Sequence, residues 1–148
     1  MKFSRILLCI DGEPHTEQAI AMAIELARAT GARLDALYVV DPYLKKFTTE
    51  IYAVNREACQ EHLDRALTAE GQAAGFAFAE QARGEGLAAE CLIESGVPEE
   101  VIPRLASRYD LLVLGGKRFG GRLERWSSRD LPRRLDERLT IPMMVCRV

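Results

Sequence analysis

Five stretches of this chain are apolar almost without a break, each closed by a turn residue or a charge. Arg5–Ile10, Arg33–Val40, Ala89–Ile93, Leu111–Leu114 and Met143–Arg147 are filled largely with Val, Ile, Leu, Met and Cys. Regular polar alternation is missing from them, as strands covered on both faces require, so the pattern predicts a parallel sheet.

The segments between them carry a helical period. Thr16–Thr30 puts Ala19, Ile20, Ala23, Ile24 and Ala27 on one stripe, with Thr16 and Glu17 as N-cap and first turn and Gly31 as the stop. Residues from about Asn55 to Arg83 read as a long alanine-rich helix with Cys59, Leu63, Ala66 and Leu67 turned inward. Gly71 and Gly75 weaken its second half, because a helical glycine costs about 1 kcal/mol relative to alanine, and a break or bend is expected there. Pro98–Ser107 forms a short helix whose first turn is pre-set by Pro98 and suited to Glu99 and Glu100. A last helix over roughly Leu131–Arg138 holds Pro132 in its first turn, with Ser128 or Asp130 as the cap. Strands alternating with helices in this way specify a sheet with crossover connections, and segment 42–54 is the expected mobile loop.

A length of 148 residues fits one domain, 1–148, and 48% hydrophobic with 28% charged residues is the composition of a globular protein. The net charge of −2 gives no general attraction to nucleic acid, and the apolar run near the N-terminus is too short to span a membrane. Neither partner is expected. Cys9, Cys59, Cys91 and Cys146 lie too far apart in sequence for a zinc motif and are too few for a disulfide scaffold, so a reducing cytoplasmic setting is expected. His15 and His62 are isolated, and no metal site is expected.

In open parallel sheets ligands bind outside the carboxyl ends of the strands. Here those ends carry Asp11-Gly12, Val40-Asp41, Glu94-Ser95-Gly96 and Gly115-Gly116. Asp11 directly follows "ILLCI"; its carboxylate suits either a ribose or base donor, or a cap on the turn "DGEPHT". The stretch "GGKRFGG" is not a P-loop, since Arg118 and Phe119 stand where Ser or Thr would enter a helix. Between residues 115 and 134 seven basic side chains, Arg134 among them, face only Glu124 and Asp130. Such a cluster reads as an anion site or as a solvated or subunit-contacting surface. No Ser/His/Asp constellation, carboxylate pair or activated cysteine is arranged at these ends. A non-enzyme is expected, with weak nucleotide hydrolysis left open.

"RILLCIDGEPHTEQAIAMAIELA", "LYVVDP", "ESGVPEEVI", "YDLLVLGG" and "IPMMVCRV", taken in order, resemble the universal stress protein family across essentially the whole chain. The resemblance implies an open five-stranded parallel sheet in the order 3-2-1-4-5, flanked by helices on both faces, and a dimer; the apolar run "MMVCRV" would otherwise leave an exposed sheet edge, so a homodimer joined partly through the C-terminal strand is expected. It carries Asp11 and the backbone of Val39 onto ribose and adenine contacts, and Leu114 onto an apolar contact beside them. ATP-binding members cradle phosphate in a loop with three spaced glycines and a closing Ser or Thr. Laid on that pattern, Gly115 keeps the first glycine, but Arg118 and Ser128 replace the other two and Arg129 replaces the hydroxyl residue. A side chain at 118 needs space that phosphate would occupy. The implied protein is a cytoplasmic stress-response regulator with a degenerate ATP-binding loop and no firm cofactor. The alternative is a switch of the same fold that binds ATP, AMP or another adenine nucleotide.

Overall fold

The computed structural model describes residues 3–11, 16–40, 56–116 and 131–147. Their order is β1 (Arg5–Ile10), α1 (Glu17–Thr30), β2 (Arg33–Val40), α2 (Arg56–Gly84), β3 (Glu90–Ser95), α3 (Pro98–Ala106), β4 (Leu111–Gly116), α4 (Leu131–Asp136) and β5 (Met143–Arg147). The five strands form one sheet, ordered β3-β2-β1-β4-β5, and every pair is parallel. This is the expected fold, with β3 shifted and β4 extended toward their carboxyl ends.

Side chains of alternating parity serve two cores. Ile6, Leu8, Ile10, Leu34, Ala36, Tyr38 and Val113 pack on one face against Ala19, Ala23 and Ala27 of α1 and Phe78 and Ala82 of α2. On the other face Leu7, Leu37, Leu112 and Leu114 meet Val101, Ile102 and Ala106 of α3 and Leu135 of α4. Central strands buried on both sides explain the unbroken apolar runs.

Thr16 sits at the N-cap of α1, as expected, but in helical conformation and with no side-chain cap hydrogen bond. Gly31 ends the helix with φ of 73°, a left-handed position that glycine adopts without steric cost.

Helix α2 corrects the sequence reading, because it runs through Gly71 and Gly75 without a break. Both glycines are buried. A Cβ on Gly71 would lie 2.7 Å from Cδ1 of Tyr38, and one on Gly75 would lie 2.8 Å from Sγ of Cys91. The glycines therefore let the helix approach β2 and β3, and packing outweighs their helical penalty. The inward face is also displaced. Ala66 is exposed and Leu67 half-buried, while Gly71, Gly75, Phe78 and Ala82 are buried at helical spacing. The side chains of Cys59 and Leu63, the loop 42–54 and the proposed caps Ser128 and Asp130 fall outside the described residues.

Helices α3 and α4 are fastened by a defect. Pro103 lies inside α3 and has no N–H to give the carbonyl of Glu99 four residues earlier. Arg138 Nη1 donates to that carbonyl instead, at 3.2 Å, and Arg134 Nη1 donates to the buried Glu99 carboxylate at 2.9 Å.

At the amino ends of the strands the Tyr109 hydroxyl donates to the buried Asp35 carboxylate at 2.8 Å, and Arg5 lies over the Tyr109 ring at 4.7 Å. Burial first, then the bond to Asp35, push the Tyr109 phenol above its ordinary pKa. Next to it, Asp110 Oδ2 accepts the backbone N–H groups of Ser4 and Arg5 at 2.8 and 2.9 Å, which hold its carboxyl below the usual range.

Candidate functional site

The chain leaves β1 through α1 toward β2 on one side, while β4 lies on the other side of β1. The gap beyond β1 and β4 is therefore the place where strand order reverses, and such a gap opens at the carboxyl edge because neighbouring crossovers diverge.

Register shows which residues meet there. Cys9 is paired with Leu37 on one side and with Leu114 on the other, and Ile10 is paired with Tyr38. Asp11, one step beyond Ile10, is thus level with Val39, and Gly115 is level with Ile10. Four of the expected site residues, Asp11, Val39, Leu114 and Gly115, come together at one end of the sheet although they are scattered over more than 100 positions of sequence. Asp11 and Val39 are half-buried and Leu114 is buried. Leu114 and Val39 belong to the same apolar cluster, so the floor between the polar ends is apolar. The remaining three, Arg118, Ser128 and Arg129, lie outside the described residues.

Cys9 stands beneath Asp11. Burial pushes its thiol up to about 12, and the Asp11 carboxylate adds to the rise, so the sulfur is a neutral packing group rather than a nucleophile. Among the described residues no group of three or more His, Cys, Asp or Glu side chains could hold a metal ion, and no helix is long and apolar enough to cross a membrane.

One correction concerns the arginine cluster. Arg134 is engaged by Glu99 and is not a spare cation beside the glycines. The Glu99 partnership was invisible in sequence, since it joins positions 35 apart through helix packing. A groove at the opposite end of the sheet, lined by Ala32, Arg33, Arg83, Leu87 and Glu90, has its cations engaged as well. Arg33 faces Asp35 and Glu90, and Arg83 faces Glu80.

Sequence reading grouped Glu94 only with a strand end. The structure pairs it with Val39, on the row that holds Asp11. The signal for this is the β2–β3 register, which no local pattern encodes.

A family model described as the universal stress protein family matches residues 2–147. The chain is 29% identical over 126 residues to a universal stress protein of Thermus aquaticus, with 80% of each chain covered. Its fold is similar to that of the universal stress protein UspA from Lactobacillus plantarum, at 23% identity and a TM-score of 0.74, covering 99% of both chains. A universal stress protein from Archaeoglobus fulgidus, solved in complex with dAMP, is similar at 14% identity and a TM-score of 0.65, covering 98% of both. With the matched segment spanning nearly the whole chain and the strand order agreeing, this protein belongs to the universal stress protein family.

Proposed function

We propose that this chain is a non-catalytic, cytoplasmic stress-response regulator that binds an adenine nucleotide at the carboxyl end of its sheet. The observation that carries the reading is the placement of Asp11 level with Val39, and of Gly115 one step before them on β4, around the strand-order reversal. Asp11 supplies an acceptor for ribose hydroxyls, Val39 and Leu114 supply apolar surface for a base, and the backbone at Gly115 leaves room for a phosphate. The Archaeoglobus relative, an adenine nucleotide complex of the same fold, supports this choice of ligand. Arg118, Ser128 and Arg129 in place of two glycines and a hydroxyl residue disfavour a triphosphate, so AMP is the better ligand and ATP the poorer one.

The chain acts as a single domain and pairs with a second copy along β5, an edge strand whose Met143, Met144, Val145 and Cys146 are only half-buried. A second reading, favoured by the missing glycines alone, is a regulator that works through a protein partner with no nucleotide. Titration calorimetry separates the two. Under the proposal AMP binds, and Asp11→Ala weakens it about tenfold or more through loss of a charge-assisted hydrogen bond. Absence of binding by AMP and by ATP up to millimolar concentration, with no nucleotide released from the freshly purified protein, leaves the second reading standing.

A further inference from the structure

On one face of the sheet Leu92, Leu37, Cys9, Leu114 and Val145 form a row across all five strands, one residue from each. Two residues further along every strand the row becomes Glu94, Val39, Asp11, Gly116 and, on β5, Arg147. The carboxylate-bearing positions 94 and 11 thus flank Val39. Neighbouring strands are about 4.8 Å apart, so these two positions are separated by about 10 Å across an apolar floor, a span suited to a nucleoside lying along the row.

Glu94 is half-buried, and among the described residues nothing hydrogen-bonds or pairs with it. The other carboxylates on this face of β2 and β3 are satisfied: Asp35 by Tyr109 and Arg33, and Glu90 by Arg33. Glu94 is thus, among the described residues, the carboxylate on this face that a ligand donor can meet without displacing a partner. The row is also polar in a definite sense. Two carboxylates occupy its β3–β1 side, while the β4 side ends in Gly115 and Gly116. A phosphate is repelled from the first side and admitted over the second, which turns the base of a bound nucleotide over Val39 toward β3.

We infer that Glu94 is a specificity-determining residue that accepts a hydrogen bond from the exocyclic amino group of the base, and so selects adenine over hypoxanthine. The inference rests on the proposed nucleotide site. An ionised carboxylate only accepts, so it matches the amino group of adenine and opposes the carbonyl that hypoxanthine carries at the same place. A site that is built for a donor rejects a ligand presenting an acceptor, because both polar groups are then left unpaired.

The experiment is titration of AMP and of IMP into the wild type, Glu94→Ala and Glu94→Gln, with thermal unfolding of each variant. The wild type is expected to prefer AMP by about tenfold or more, and Glu94→Ala to bring the ratio to within about twofold. Glu94→Gln, whose amide can also donate, should raise IMP affinity relative to AMP. The ratio is internal to each variant, so partial unfolding scales both affinities together and leaves the result readable. An AMP-to-IMP ratio unchanged in Glu94→Ala overturns the assignment of Glu94 while leaving the nucleotide site intact. Failure of the wild type to bind either nucleotide removes both.

Discussion

Arg138 donates to the carbonyl of Glu99, the acceptor that Pro103 leaves without its helical partner. A proline that would weaken an isolated helix thereby becomes the attachment point of the turn that follows α4. Arg138→Ala should cost about 1 kcal/mol in urea unfolding, as expected for loss of one hydrogen bond to a partly buried carbonyl. In a Pro103→Ala background, where residue 103 supplies the N–H itself, the same substitution should cost less. Equal costs in the two backgrounds would show that the carbonyl is not what Arg138 stabilises.

Helix α2 gives two glycine substitutions of opposite sign. Gly84→Ala meets no atom within 4 Å and should stabilise by about 0.5 kcal/mol, through the lower entropy of the unfolded chain. Gly71→Ala drives a methyl group into the buried Tyr38 ring and should destabilise by about 1–3 kcal/mol. Thermal unfolding of both proteins measures the difference; a stabilised Gly71→Ala would mean that the helix can move away from β2 without loss.

Among the described residues, Tyr109→Phe leaves the buried Asp35 with the longer contact from Arg33 at 3.5 Å. A loss of about 1–3 kcal/mol is expected in chemical denaturation. A change below 0.5 kcal/mol, the size of an ordinary surface substitution, would show that water replaces the phenol at no cost.

The thiols set an alkaline limit. Burial pushes Cys9 up to about 12 and Cys91 up to about 11, against an unfolded value of 9.0. The folded state therefore holds more protons than the unfolded state between pH 9 and about 11–12. Stability from this source is complete below pH 9 and is lost as pH rises through that window. Urea midpoints should fall above pH 9, and peptide mapping after iodoacetamide treatment at pH 8 should find Cys9 and Cys91 alkylated only slowly until denaturant is added. Rapid native alkylation of Cys9 would contradict its neutral, half-buried state.

The edge strand supplies a test of assembly. Met144→Lys places a charge on half-buried β5 and should shift sedimentation toward monomer if two copies pair there. A mutant that stays dimeric removes β5 from the interface.

The strands and the stripe of α1 were legible because each is written in consecutive or periodic residues: Leu7 and Leu8 are both fully buried, and Ala19, Ala23 and Ala27 share one face. Gly71 and Gly75 were misread because glycine reports a helix penalty locally, whereas its closeness to Tyr38 and Cys91 is a fact of tertiary packing. The same holds for the site. Asp11 announced itself by following an apolar run, and Gly115 by closing another, but the alignment of Glu94 with Val39 depends on register between strands joined through a 29-residue helix. Arg134 looked like one cation among many until Glu99 was found beside it.

The central position of β1 has a consequence for how the protein comes into being. Its neighbour β2 follows after one helix, but its other neighbour, β4, begins only at Leu111, so one side of the innermost strand remains an open edge until more than two-thirds of the chain has been made. Contacts of such long sequence range carry a large loop-closure entropy and form late. During synthesis the nascent chain holds an apolar, unpaired β1 edge that another chain could capture, and the proposed ligand site does not exist before that edge closes. Closing the sheet and creating the site are one event.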